Sequence, residues 1–423
     1  MRSGIFILFW AVLSPCFGDE PVLFSTREKA LAAQHKAAPL PTHSHNRFGD
    51  NPAAAHFGQF LFFETRLSRN GAISCATCHI PALGFADRLS LSKGLQETER
   101  HTPGLTGVAF NRWFFWDGRA DSLWAQALQP IENEKEMGGD RLHVMWMVYG
   151  NPELRTGYEA VFGTMPDLNS TDFPDHAAPK NGDHPHNKAW LAMDQESQQI
   201  ANRVFANLGK AIAAYERLLI SKNAPFDQFL EGLETNNPEK MAALSHSQQR
   251  GFKLFIGKAR CRLCHSGPNF TDLEFHNTGV PPLRDGLPVD SGRYAGVERV
   301  HADPFNTAGK YSHDSQGDRA RSLSFLRKWP EQWGQFKTPG LRNIAQTPPY
   351  MHQGQLPNLE AVVAFYNNRE GSIPTGHAQD PLLLPLNLTE QEAQDLAAFL
   401  KSLSGEPLKP WLLRKPQSAV PPQ

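Results

Sequence analysis

The sequence is poor in cysteine: its 423 residues include five, and their positions leave none for a structural disulfide. Cys16 lies in an apolar N-terminal stretch. The other four form two close pairs, Cys75 with Cys78 and Cys261 with Cys264. A small secreted scaffold stapled by disulfides is therefore excluded, and the chain is long enough to bury ordinary hydrophobic cores.

Long apolar runs and excess charge are also missing. The apolar run at residues 5–13 is too short to span a bilayer, and we predict no transmembrane span. With Arg2 before it and Gly18 after it, residues 1–18 are typical of a secretory signal peptide. A lipoprotein box ending at Cys16 is a less favoured alternative, because Pro15 fits it poorly. The net charge of -1 gives no broad surface for nucleic acid, and no nucleic-acid partner is expected.

Each cysteine pair belongs to a CxxCH motif, Cys75-Ala76-Thr77-Cys78-His79 and Cys261-Arg262-Leu263-Cys264-His265. This pattern is typical of c-type haem attachment, in which two thiols bond the haem vinyl groups and the histidine ligates the iron. A zinc site would need a second ligand pair nearby, and a redox dithiol would need a βαβ context. Two copies behind a signal peptide favour two haem c groups, attached in a bacterial periplasm.

A helical pattern precedes each motif, Gly58-x-x-Leu61-Phe62 in one half and Gly251-x-x-Leu254-Phe255 in the other. Without any segment of strand period, this duplication predicts an all-α fold of two cytochrome c-like haem domains with long loops. We expect domains at residues 19–240 and 241–408, followed by a loose tail at 409–423. Capping boxes at Ser245 with Gln248 and at Thr389 with Glu392 predict helix starts, the last helix ending at Gly405.

Other stretches carry weaker signals. Residues 200–219 predict an amphipathic helix, and shorter helices are expected at 121–128 and 359–366. Residues 167–188 and the stretch from the second motif to about 335 are expected to be loops. His176, His184 and His186 of the first loop are interpreted as solvated, with metal binding as the less favoured alternative.

The sixth iron ligand separates an electron carrier from a reactive haem. Met351 is the only methionine after His265, and Tyr366 is the other candidate for the second haem. For the first haem, Gln126 and Glu136 lie in a segment that can cover the distal face, where a glutamate can move protons on peroxide. Trp116 is a candidate relay between the haems. These residues alone leave a non-catalytic di-haem carrier open.

Several motifs in one order resemble the bacterial di-haem cytochrome c peroxidases and the related MauG proteins over almost the whole chain. The motifs are Leu67-Ser68, the first CxxCH, Phe115-Trp116-Asp117-Gly118-Arg119, Gln126, Pro130, Glu136-Met137, Ala214-Tyr215-Glu216-Arg217, Phe226-Asp227, the second CxxCH, Pro339-x-Leu341-Arg342-Asn343 and Pro349-Tyr350-Met351-His352-x-Gly354.

The resemblance implies the roles of these residues. Peroxide would react at the haem of His79, with Glu136 as acid/base and Gln126 and Pro130 lining that pocket. The haem of His265 would handle electrons, with Trp116 between the two. Tyr366 stands where the peroxidases have methionine and the MauG-like branch has tyrosine, which makes it the expected axial ligand.

Three departures from the family pattern matter. Gly94-Leu95 replaces the Gly-His pair whose histidine blocks the first haem in peroxidases that need reductive activation, so we expect an open haem; His101 is a nearby substitute. The family's calcium ion uses an asparagine and the carbonyls of a Thr-x-Pro; Thr347 and Pro349 match, but His101 replaces the asparagine, which puts calcium in doubt. Ala259 replaces the tryptophan through which MauG oxidises its partner protein.

The sequence thus predicts a periplasmic di-haem oxidoreductase that reduces hydrogen peroxide with electrons from a small cytochrome c or a cupredoxin. The alternatives are a MauG-like enzyme that oxidises a residue of a partner protein and a pure electron carrier. A second copy of the same chain, forming a homodimer, is a further candidate partner.

Overall fold

A computed structural model describes residues 21–168, 171–287, 289–373 and 380–422. The predicted signal peptide at 1–18, with Cys16, lies outside the described residues. Within them the chain is mostly helical, with one two-stranded antiparallel sheet, so the prediction of an all-α fold is confirmed. In the described part of the chain, every helix is too short or too polar to cross a bilayer.

The helices that build the first part of the chain are α1 (Thr26–Ala33), α2 (Pro52–Phe62), α3 (Cys75–Cys78), α4 (Leu123–Glu132), α5 (Arg141–Gly150), α6 (Pro152–Phe162), α7 (Pro185–Ala192) and α8 (Gln195–Glu216). Those of the second part are α9 (Pro225–Thr235), α10 (Pro238–Met241), α11 (His246–Ile256), α12 (Arg293–Ala302), α13 (Asp318–Phe325), α14 (Leu359–Asn368) and α15 (Glu390–Lys401). Strand β1 (Phe275–His276) pairs with β2 (Phe336–Lys337).

The predicted capping boxes form as expected. Ser245 caps α11 and Thr389 caps α15, each with the reciprocal bond from the residue three positions on. Helix α15 ends at Lys401, before the predicted stop at Gly405. The stretch from the second motif to residue 335, expected to be loop, also contains α12 and α13.

The two halves repeat one helix crossing. A Cβ added at Gly58 of α2 would lie 1.8 Å from the Ala211 carbonyl oxygen of α8, and one at Gly251 of α11 would lie 2.0 Å from the Asp395 carbonyl oxygen of α15. Glycine is required at both crossings because no side chain fits between backbones at these distances. The helix before each CxxCH motif is thereby pressed onto a later helix of the same half.

Two large hydrophobic clusters form the cores, and they do not divide the chain at residue 240. Phe226 and Phe229 of α9 belong to the second cluster, as does Ala32 of α1. Phe305, which follows the second motif in sequence, packs in the first cluster. The domain boundary at 240 stays a prediction. Each core includes residues from both sides of this position.

The tail after residue 408, expected to be loose, is packed on the first cluster. Leu412 and Ala419 are buried there. The Gln59 amide of α2 donates to the carbonyls of Trp411 and Arg414 at 2.6 and 2.8 Å. Proline-rich composition suggested mobility, but two apolar anchors and a buried amide hold this segment, so that expectation is wrong.

Candidate active site

One continuous cavity of about 850 Å³ contains both CxxCH motifs. Its lining includes every residue singled out from the sequence for haem attachment, catalysis, axial ligation or calcium binding: Cys75, Cys78, His79, Trp116, Gln126, Glu136, Cys261, Cys264, His265, Thr347, Pro349 and Tyr366. Residues up to 291 positions apart in sequence therefore face one space.

The two motif histidines are held in the same way. His79 Nδ1 lies 2.9 Å from the Phe85 carbonyl oxygen, and His265 Nδ1 lies 2.9 Å from the Phe270 carbonyl oxygen. Because a carbonyl only accepts, each Nδ1 carries the proton and each Nε2 keeps its lone pair. A backbone carbonyl on the second nitrogen is the usual support for a metal-ligating histidine.

A second sequence repeat, which was not recognised from the sequence, helps to hold these two histidines. Thr102-Pro103-Gly104-Leu105 recurs as Thr338-Pro339-Gly340-Leu341. The Pro103 carbonyl also faces His79, and the Pro339 carbonyl faces His265, where each favours the protonated ring and so opposes the lowering of the histidine pKa by burial. The four-residue identity was the signal that could have revealed both contacts.

These observations fit two covalently attached haem c groups. The four thiols of the described cysteines are free and line the cavity. Each pair stands beside an imidazole whose Nε2 is available to iron, which is the donor set that haem c requires.

Helix α4 presents one face to the first half of the cavity. Gln126 and Pro130, four positions apart, share that face, and Asn133 caps its end. The Gln126 Oε1 atom is buried and has no hydrogen-bond partner among the described residues. Because Gln126 also lines the cavity, this acceptor is available to a molecule bound there.

Glu136 follows in the loop after α4. Asn133 Nδ2 donates to Glu136 Oε1 at 2.6 Å, and within the described parts of the chain Oε2 has no hydrogen-bond donor. Burial raises the pKa of Glu136, opposed by the charge of Arg119 and by the Asn133 bond. A carboxyl with a raised pKa keeps its proton to a higher pH than an ordinary glutamate, which suits it to proton transfer.

The loop that replaces the Gly-His pair lies against the backbone of Glu136. Leu95 N–H donates to the Glu136 carbonyl, and Gln96 N–H donates to the Lys135 carbonyl, both at 2.9 Å. A Cβ at Gly94 would lie 2.5 Å from the Glu136 carbonyl oxygen. The Leu95 side chain packs on the first hydrophobic cluster, and Leu95 is not part of the cavity lining.

Trp116 stands between the halves. Its Nε1–H donates to the His101 carbonyl at 2.9 Å, and its own carbonyl accepts from Lys337 N–H at 2.8 Å. The next residue, Asp117, is fully buried among arginines, with Arg100 at 2.8 Å and Arg119 at 3.2 Å. These cations hold the pKa of Asp117 well below its usual range.

Both candidate ligands of the second haem line the cavity, but in different surroundings. Tyr366 of α14 lies close enough to Cys261 and Cys264 for their charges to act on it, and burial is the main cause of its raised pKa. Met351 lies in a loop with positive φ beside His352, whose carbonyl accepts from His101 N–H at 2.8 Å. Tyr366 is therefore the residue next to the second haem motif.

His101 occupies the position in question for calcium. Its Nδ1 donates to the Leu89 carbonyl at 2.7 Å, and the Thr347 carbonyl also faces the ring. An imidazole thus fills the space beside a carbonyl that calcium would use. Calcium binds oxygen ligands, so these residues do not fit it. The same contacts hold His101 away from the role of a substitute iron ligand.

One further residue of the cavity lining was missed, and so was a residue that packs behind the lining on Phe270. Glu216 is buried beside Cys75, its Oε2 has no hydrogen-bond partner among the described residues, and burial raises its pKa to about 8. His35, from the N-terminal segment, stacks on Phe270 with ring centroids 4.5 Å apart. Only the Tyr215-Glu216 motif gave any signal of either.

Comparison with known proteins gives consistent matches. A family model described as di-haem cytochrome c peroxidase matches residues 52–235. The cytochrome-c peroxidase IdrP1 of Denitromonas iodatirespirans is 34% identical over 371 residues, covering 85% of this chain and 84% of that protein. The methylamine utilization protein MauG of Methylorubrum extorquens is also 34% identical, over 84% of this chain and 79% of its own length.

Among solved structures, a MauG-like protein associated with microbial copper homeostasis superposes with a TM-score of 0.61 and 25% identity. The match covers 90% of this chain and 97% of that one. The fold is thus shared over nearly the full length of both chains.

Proposed function

Because the chain belongs to the di-haem cytochrome c peroxidase and MauG family, and is a di-haem oxidoreductase, we propose that it reduces hydrogen peroxide at the haem of His79 with electrons that pass through the haem of His265. The observation that carries this proposal is the position of Glu136: this partly buried glutamate, whose pKa is raised, lies on the lining of the cavity that contains the first motif.

The haems supply iron that binds peroxide at one site and transfers electrons at the other. Glu136 moves the protons. Its Oε1 is held by Asn133, so Oε2 would take a proton from one oxygen of peroxide and return it to the other, which leaves as water. Two electrons and two protons convert one peroxide into two waters.

Gln126 and Pro130 shape the pocket around that proton transfer. The free Oε1 of Gln126 accepts a hydrogen bond from bound peroxide and orients it toward Glu136. Pro130 presents a surface without an N–H donor on the same helix face, so it does not compete for the carboxylate.

Trp116 is the proposed relay between the two ends of the cavity. Its indole is fixed to His101 and its backbone to Lys337, which joins the first half to the β-ribbon of the second. Tyr366 is the proposed sixth ligand of the second iron. A phenolate oxygen at that position would favour the oxidised state of the iron.

We further propose export by residues 1–18 to the periplasm, where haem c is attached and where a small cytochrome c or a cupredoxin serves as donor. No calcium ion is included, because His101 fills its place. A homodimer stays a prediction.

One observation favours a second candidate function. Tyr366 is the MauG-like residue, and a lasting oxidised state would suit oxidation of a residue on a partner protein. Ala259 is buried where MauG has its exit tryptophan, so any such transfer uses another surface. The partner's side chain would then supply the two electrons and would itself be oxidised.

Mixing the diferric protein with one equivalent of hydrogen peroxide tests the proposal. A fast change in the haem spectrum is expected, followed by rapid turnover when reduced cytochrome c is added. A long-lived oxidised spectrum without turnover would favour the partner-protein reaction. No fast spectral change would reject both enzymes and leave the electron carrier.

A further inference from the structure

Two histidines of the segment after residue 170 cluster around one carboxylate, although the His176 side chain remains 55% exposed. His176 and His186 converge on Asp140, and their ligand atoms and a carboxylate oxygen all lie within 4.8 Å of one another. We propose that Asp140, His176 and His186 bind one divalent transition-metal ion of the zinc class. These residues lie outside the haem cavity.

Asp140 is held in the orientation of a ligand. It caps helix α5, and its Oδ1 accepts from the N–H groups of His143 and Ala177 at 3.0 and 3.1 Å. The second oxygen, Oδ2, is turned toward the imidazoles. The residue is 2% exposed, so the direction of its carboxylate is fixed by the fold before any ion binds.

The imidazoles complete the donor set. His176 Nδ1 lies 2.8 Å and His186 Nδ1 lies 3.6 Å from Asp140 Oδ2, and the rings are stacked 5.3 Å apart at 10°. Ligand atoms bonded to one zinc ion at about 2.1 Å are about 3.0–3.4 Å apart, so small shifts bring all three into coordination. The buried Nδ1 of His186 has no hydrogen-bond partner among the described residues, so its lone pair is available to a metal ion.

Two nitrogens and one carboxylate oxygen favour zinc-like ions over calcium or magnesium, which prefer oxygen alone. Three protein ligands leave a fourth position for water. The nearby His184 is engaged through Nδ1 as the cap of helix α7, so it is not counted in the set.

The position of the site gives it a structural consequence. Asp140 comes four residues after Glu136, and Lys180 of the same histidine-bearing segment donates to Glu134 Oε1 at 2.8 Å. A bound ion would fasten residues 171–192 to the loop that carries Glu136. Amide exchange in both segments should therefore slow when the ion binds.

The test uses the full-length holoprotein, stripped by chelator dialysis and titrated with Zn²⁺ alone. We expect one tightly bound zinc per chain by metal analysis and calorimetry, with slower amide exchange at residues 132–140 and 173–187. His176→Ala with His186→Ala should weaken binding by at least ~100-fold, since two ligands are lost. Asp140→Asn, which keeps the helix cap, should weaken it as well.

His301→Ala, which removes an exposed histidine on α12, is the matched control and should bind zinc like the unchanged protein. The haem spectrum and circular dichroism report that each variant is folded. The proposal would be overturned if the double variant bound zinc as tightly as the control. It would also be overturned if the unaltered protein bound no zinc, since Asp140 and the histidines would then form an ion pair only. Either result leaves the peroxidase proposal untouched.

Discussion

The backbone N–H of Leu95 donates to the carbonyl of Glu136 at 2.9 Å, so the loop that could cover the first haem is tied instead to the proposed acid/base residue. The Leu95 side chain packs away from the cavity, in the first hydrophobic cluster. We expect the resting diferric protein to react with peroxide without prior reduction. Stopped-flow spectra should show the reaction with peroxide in the fully oxidised protein as well as in the half-reduced protein. A reaction seen only after reduction would contradict this expectation.

Glu136→Gln should slow the peroxide step by ~100-fold or more, because the amide cannot carry the proton while it keeps the Asn133 contact. The measurement is the rate of the haem spectral change against peroxide concentration. Glu134→Gln is the control and should react normally. It removes a carboxylate two residues before Glu136, one that forms an ion pair with Lys180. Near-normal rates in Glu136→Gln would remove this residue from the mechanism.

Tyr366→Phe should alter the spectrum of the second haem alone, since the phenolic oxygen is the proposed ligand. Low-spin ferric resonances followed by electron paramagnetic resonance separate the two haems. Met351→Leu is the matched variant, and it should leave both haems unchanged. The reverse pattern would assign the sixth position to Met351.

A calcium chelator should not change the peroxide activity of the unaltered protein, because the His101 ring lies beside the Thr347 carbonyl that calcium would need. Dialysis against a calcium chelator, followed by the peroxide assay, checks this. His101→Asn restores an oxygen ligand and is expected to make activity sensitive to the chelator. Chelator sensitivity of the unaltered protein would show that calcium binds despite the imidazole.

Glu216 should make the fold less stable as the pH rises. Its pKa is about 8 in the folded chain against an ordinary value of 4.5, so the folded state binds the extra proton between these values. The stabilisation is complete below pH 4.5 and is lost as the pH rises through about 8, at most about 5 kcal/mol. Glu216→Gln should flatten this alkaline loss in thermal unfolding.

Glu64→Gln is the control for that experiment. Arg66 and Lys415 hydrogen-bond the Glu64 carboxylate and lower its pKa to about 2, despite burial, so its contribution is present above pH 4.5 and lost as the pH falls toward 2. The loss of stability between pH 4.5 and about 8 should therefore be the same in Glu64→Gln and in the unaltered protein. A Glu216→Gln curve parallel to the control would contradict the assignment.

The sequence predicted what local chemistry determines. A CxxCH motif carries its own covalent geometry, and the Ser245 and Thr389 caps form with neighbours three residues on. Tyr366 was recognised by its spacing within a family pattern. Each of these signals lies within a short window, where residue type and position are enough.

Contacts between distant segments could not be read in this way. Leu95 meets Glu136 through backbone atoms that any residue type provides. The His176 and His186 rings meet Asp140 across 36 and 46 positions, although composition alone indicated solvated histidines. The tail anchored by Leu412 looked loose because its proline content conceals two apolar contacts.

The exchange of terminal segments between the two cores has a topological consequence. Residues near Ala32 close the second core, while Leu412 and Ala419 close the first, so each end of the chain completes the half that is farther from it in sequence. A cut at residue 240 would therefore produce two fragments that each lack a wall of their own core. Such fragments should assemble only when mixed, and the intact chain should unfold as a single cooperative unit, its two haem centres lost together.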